Sequence, residues 1–61
     1  MLNLMDLKEA AKEMRISIFT IRSWVYQKRL PFVKLGRRVL IRREDMEDFV
    51  NKNVVEARER V

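Results

Sequence analysis

The sequence predicts a small, mostly helical α+β domain: two helices, a β-hairpin and a third helix, in the order α-α-β-β-α. Three observations carry that prediction. Apolar residues recur at helical spacing over residues 7–14 and again from Ile21 to Val25, with Arg15-Ile16-Ser17 between the two stretches. After Pro31 the period shortens, and Val33, Leu35, Val39 and Ile41 fall on alternate positions around Gly36. A second helical spacing then opens behind the clustered acids of "REDMEDFV".

In "LMDLKEAAKEM", Asp6 followed three residues later by Glu9 makes a capping box, and Leu4 or Met5 supplies a hydrophobic staple. Leu7, Ala10, Ala11 and Met14 form one narrow, small-residued face that lets another helix approach closely, so helix one should run from Leu7 to Met14. Ser17 is the expected N-cap of helix two, accepting from an amide of the first turn. Ile21, Trp24, Val25 and the aliphatic stem of Lys28 make its inward stripe, and the helix should end near Lys28 because Pro31 disfavours helical geometry at Leu30.

The hairpin register is an inference from polarity. If Leu35 faces Val39 and Val33 faces Ile41 on the core side, the loop is Gly36-Arg37-Arg38, whereas a two-residue Gly36-Arg37 turn would set Arg38 opposite Leu35. The longer loop is therefore expected, with Arg37 and Arg38 at its tip. In helix three, Glu44, Asp45, Glu47 and Asp48 suit the positive end of the helix dipole, and Met46, Phe49 and Val50 face the core. Residues 1–53 are expected to form the domain, with 54–61 a C-terminal extension, helical or frayed.

At 61 residues the chain is near the lower limit at which one apolar core suffices. With no cysteine and no histidine it lacks disulfides, thiolate or imidazole metal ligands, and the Ser-His-Asp and Cys-His types of nucleophilic machinery. The paired carboxylates of "EDMED" crowd a helix start rather than facing each other across a cleft, so an enzyme is not expected, nor a cofactor, a metal or a small-molecule substrate. No cationic leader precedes an apolar run and no stretch approaches the roughly 18 apolar residues of a membrane span, so a cytoplasmic location is expected.

The net charge of +5 is segregated. Residues 1–14 carry Lys8 and Lys12 against Asp6, Glu9 and Glu13, and residues 44–61 carry twice as many acids as bases. Between them Arg15, Arg22, Lys28, Arg29, Lys34, Arg37, Arg38, Arg42 and Arg43 stand without one acid. A polyanion-facing middle held between acidic flanks is the expected consequence.

Helix, three-residue turn, helix is the helix-turn-helix arrangement, whose second helix enters the major groove of DNA. Its outward face fits that role: Arg22 can fork onto guanine, Ser23 and Gln27 can read donors or acceptors, and Thr20 can hold a phosphate. Tyr26 is expected in the groove, Phe19 at the edge of the core and Trp24 within it. The adjacent Arg37 and Arg38 suit a narrow minor groove. Arg42 and Arg43, at the entrance of helix three, are within phosphate reach on this reading, whereas Glu44 marks the end of the DNA-facing surface.

The stretches "LKEAAKEMRIS" and "TIRSWVYQKRLPFVKLGRRVLIRREDMEDFV" resemble the excisionase-type winged helix-turn-helix family, related to the MerR superfamily of DNA-binding domains. The resemblance covers about residues 4–50 and is most specific through "LP", "GRR" and "IRREDMEDF". It implies a bacterial or phage protein whose second helix lies in the major groove and whose hairpin is a wing on the adjacent minor groove. Carried over by position, Thr20, Arg22, Ser23 and Tyr26 read the groove, Ser17, Arg29 and Arg43 lie near phosphates, and Lys34, Arg37 and Arg38 belong to the wing. Relatives usually have Gly at the positions of Arg15 and Lys28, where positive φ is convenient, and often a cation at the position of Ile18.

The function expected from the resemblance is that of an excisionase: sequence-specific binding of double-stranded DNA at adjacent sites, bending it, and directing an integrase, with residues 51–61 contacting a neighbouring copy or the integrase. A small transcription regulator would use the same domain. A protein-interaction module docking an acidic partner on the basic face is the alternative from another class.

Overall fold

A computed structural model of the protein describes residues 3–57. Six elements follow in order: β1 (Leu4–Asp6), α1 (Leu7–Met14), α2 (Ile18–Tyr26), β2 (Val33–Leu35), β3 (Arg38–Arg42) and α3 (Arg43–Lys52). The α+β class is as the sequence predicts, with one addition at the start. β1 completes a three-stranded antiparallel sheet in the order β1-β3-β2, so the observed order is β-α-α-β-β-α.

Local chemistry sets the helix ends. The Glu9 amide donates to Asp6 Oδ1 at 2.7 Å and the Asp6 amide to Glu9 Oε1 at 3.0 Å, a closed capping box that turns the chain from β1 directly into α1. Ser17 Oγ accepts from the Thr20 amide at 3.1 Å and caps α2. Both helices finish in Schellman motifs. After α1 the Ile16 amide reaches back to the Ala11 carbonyl at 3.0 Å and the Arg15 amide to Lys12 at 3.2 Å; after α2 the Arg29 amide reaches Trp24 at 2.8 Å and the Lys28 amide Val25 at 3.0 Å. The left-handed residue in each motif is a cation rather than glycine: φ is 59° at Arg15 and 60° at Lys28. Lys28 is therefore exposed, and its stem does not join the inward stripe expected of it.

The core is Met5, Ala10, Ala11, Ile21, Leu30, Ile41 and Met46, with Leu7, Met14, Ile16, Ile18, Trp24, Val25, Phe32 and Phe49 packed around it. Ala10 and Ala11 let α1 lie close against α2, and Ile21 fills the crossing completely buried. The Trp24 and Phe49 rings meet at 5.0 Å and 44°, joining α2 to α3. Val50, expected on the inward face of α3, is 45% exposed, because the helix outruns the small core beneath it.

The hairpin register corrects the sequence reading. Val33 pairs with Leu40, Lys34 with Val39 and Leu35 with Arg38, leaving a two-residue Gly36-Arg37 turn. Gly36 has φ of 62°, which the first position of a type II′ turn requires. Side chains alternate along a strand, so Val33 and Leu35 share the face of Arg38, opposite to Ile41 and Val39. That face is not the core side: Met5 of β1 pairs with Ile41 and sets the buried face from the other edge of β3. The objection to pairing Arg38 with Leu35 therefore disappears, since both point into solvent and Leu35 is 52% exposed.

Candidate nucleic-acid interface

Helix α2 is positioned from three sides. Its N-terminus is held by the Ser17 cap, where the Ser17 and Thr20 hydroxyls also share a hydrogen bond of 3.0 Å. Its inner face is anchored by Ile21, Trp24 and Val25, and its exit by the second Schellman turn, after which Leu30 plugs the core fully buried. Arg29 follows the turn with its guanidinium 5.8 Å from the centre of the Trp24 ring. A cation–π contact thus takes the place of the apolar contact that commonly closes such a motif.

What α2 leaves outward is one stripe: Phe19, Arg22, Ser23 and Tyr26, spaced by three, four and seven residues and all exposed. Thr20 is half-buried beside that stripe, turned toward Ser17. Ser23 accepts from the Gln27 side-chain amide at 3.1 Å. Phe19 was expected at the core edge; it is 76% exposed because Ile18 and Ile21 on either side take the inward positions. Tyr26 is 89% exposed.

The β2–β3 hairpin stands beside the end of α2. Val25, Tyr26, Lys28, Phe32, Lys34 and Val39 line an open groove of about 410 Å³ between them. Of the expected wing cations, only Lys34 lies on this side; Arg38 is on the opposite face of the hairpin and Arg37 is in the turn. The register correction thus separates side chains that the sequence alone groups together.

A family model described as a helix-turn-helix domain matches residues 4–54, from the first strand to just past the last helix. The chain belongs to the helix-turn-helix domain family. No curated protein and no solved structure matches it significantly. As a helix-turn-helix domain it binds DNA, with α1, the Arg15-Ile16-Ser17 turn and α2 forming the motif. No helix among the described residues is long and apolar enough to cross a membrane.

Electrostatics divide the cations of the helix-turn-helix domain in two. Arg42 donates from Nε to Asp45 at 2.6 Å and from a terminal nitrogen at 3.0 Å, and lies 3.9 Å from Glu44. Arg43 donates to both carboxylate oxygens of Glu13, at 2.6 and 3.2 Å, and a terminal nitrogen lies 3.6 Å from the Met5 sulfur. These bonds push both arginines above their ordinary pKa and hold the Glu13 carboxyl below the usual carboxylate range. Arg15, Arg22, Lys28, Arg29, Lys34, Arg37 and Arg38 have no carboxylate within 4.0 Å among the described residues.

Sequence reasoning missed the Glu13–Arg43 pair and the exposure of Phe19. The first joins residues 30 apart and left no local signal. The second was legible in the spacing, since Phe19 falls on the stripe of Arg22 and Tyr26 rather than on that of Ile21 and Trp24.

Proposed function

We propose that the protein is a sequence-specific duplex-DNA-binding protein of excisionase type, with α2 in the major groove and the β2–β3 hairpin in the adjacent minor groove. The observation that carries the DNA-facing assignment is the unpaired state of the cations on and around α2 and the hairpin, set against the internal pairing of Arg42 and Arg43. An unpaired guanidinium keeps its donors free for a partner, whereas a bidentate pair must first be broken.

In this reading Arg22 forks onto a guanine, Ser23 and Tyr26 flank it, and Thr20 and Ser17 stand against the backbone at the helix start. Arg29, held over Trp24, and Lys28 meet phosphates at the helix end. Lys34 continues that line from the hairpin, and Arg37 and Arg38 enter the minor groove at its tip. Arg43 braces α3 against α1 through Glu13 and stays outside the contact set.

The excisionase assignment rests on the resemblance of "LP", "GRR" and "IRREDMEDF" to that family and its link to the MerR superfamily. An excisionase performs no chemistry. It occupies adjacent sites, bends the duplex and directs a recombinase, with the residues after α3 available to a neighbouring copy or an integrase. Footprinting tests this directly: an array of adjacent protected sites at the end of a mobile element is the expected result, whereas a single promoter palindrome would make the protein a transcription regulator. Titration with salt tests the step beneath it. Each phosphate neutralised contributes about 0.9 to the log–log slope, and a flat line would replace DNA by an acidic protein as the partner of this face.

A further inference from the structure

We infer that Phe19 is a base-reading residue that recognises the 5-methyl group of a thymine in the major groove, an inference that rests on the DNA-binding reading above. Phe19 is the second residue of α2, in the turn whose side chains reach base edges in helix-turn-helix complexes. Its ring is 76% exposed, and the turn beneath it is pinned by the Ser17–Thr20 hydrogen bonds of 3.0 and 3.1 Å. One helical turn further on the same stripe stand Arg22 and Ser23, and two turns on stands Tyr26. All three carry a hydrogen-bonding group; Phe19 has none to offer.

A single exposed apolar side chain is ordinary, so exposure alone assigns nothing. What decides is the company the ring keeps. The nearest charged side chain on its stripe is Arg22, free of any carboxylate within 4.0 Å, on a helix without an acid. A surface of that sign suits a polyanion better than an apolar protein face. Within the major groove the base edges present donors, acceptors and one apolar feature, the thymine methyl. The residue with no polar group therefore matches the one feature with no polar group. Helix neighbours three residues apart stand about 5–6 Å from each other, and base steps rise by about 3.4 Å, so the thymine lies within about two steps of the guanine contacted by Arg22.

The test uses the protein to select its own sites from a pool of randomised duplexes. The selected duplex is then resynthesised with deoxyuridine in place of each thymine in turn, which removes only the methyl group. One position near the Arg22-dependent guanine should weaken binding about fourfold, the worth of one buried methyl-sized group. That penalty should vanish in Phe19→Ala, a substitution at a side chain 76% exposed and outside the buried core, and persist in Arg22→Ala. An undiminished penalty in Phe19→Ala overturns the inference, as does a selected sequence at which no deoxyuridine matters. A Phe19→Ala variant that loses only cooperative binding of adjacent copies makes Phe19 a protein contact and overturns it equally. Failure to bind any duplex in a salt-dependent way is a different result, and removes the DNA reading itself.

Discussion

Arg43 and Glu13, 30 residues apart in the chain, are joined by hydrogen bonds of 2.6 and 3.2 Å, so the first residue of α3 is clamped to the last turn of α1. The hydrogen bond from Arg43 is the largest cause that holds the Glu13 carboxyl low, and its charge adds to the effect. A carboxyl whose folded pKa lies below its unfolded value binds fewer protons when folded. Its contribution is complete above the ordinary carboxylate range and is lost as pH falls through the folded value. Glu13→Gln should therefore lower neutral-pH stability by the small amount an exposed pair is worth, and the difference from the parent should close as pH falls below about 5, which flattens part of the acid limb. Thermal melts across that range check it; parallel curves for the two proteins would show that the pair adds nothing.

Arg15 and Lys28 occupy left-handed backbone at φ of 59° and 60°, a conformation that costs a residue with a Cβ about 1–2 kcal/mol and glycine almost nothing. Glycine gives part of that back in the entropy of the unfolded chain. Arg15→Gly and Lys28→Gly should each stabilise the fold by about 1 kcal/mol in denaturant titrations. Lys28→Gly should at the same time weaken DNA binding and reduce its salt slope by about one contact. Stability and affinity moving together would instead place Lys28 away from the phosphates.

The cations of α2 and the hairpin should divide by role. Arg22→Ala is expected to cost about 1–3 kcal/mol of DNA affinity and to relax base preference, whereas the loss in Arg38→Ala should follow the width of the minor groove beside the site and leave the preference at the Arg22 position intact. Arg42→Ala should change affinity little, because its guanidinium is already held by Asp45. Equilibrium binding to matched and mismatched duplexes separates the three; equal losses for all would dissolve the division.

Leu30 is the last residue before Pro31 and is fully buried with Ile21 and Ile41. Leu30→Ala should cost about 2–5 kcal/mol. For a domain of 61 residues, worth roughly 0.05–0.15 kcal/mol each, that is a large share of all the stability there is. Gly36→Ala should cost only about 1 kcal/mol, since nothing lies within 4 Å of an added Cβ and the penalty is the positive φ alone. Chemical denaturation ranks the two, and a Gly36→Ala loss as large as that of Leu30→Ala would mean the turn is packed.

Much of this is legible in the sequence, and the legible part has a common property. The Asp6–Glu9 capping box, the bounds of α1, the Ser17 cap and the stop before Pro31 each depend on residues within about four positions of one another. The left-handed backbone at Arg15 and Lys28 was suggested only by the resemblance, whose members usually carry glycine there, and the structure decided it. The acid-free run from Arg15 to Arg43 needed no structure at all to suggest a polyanion partner.

By itself, then, the sequence determined the helices, their caps, the hairpin and the sign of the surface, because local backbone chemistry and composition decide those. The register of the hairpin was decided elsewhere. Three residues at the start of the chain pair with β3, and Met5 opposite Ile41 chooses which face is buried. A hairpin read alone has two nearly equivalent registers that differ by which side chains point inward, and only a third strand breaks the tie. The same distant pairing turned Arg38 away from Lys34, as Glu13 engaged the Arg43 guanidinium and the inward choice of Ile18 and Ile21 left Phe19 in solvent. Which charges and rings remain free for DNA is thus a property of contacts across the fold, where no local pattern can record it.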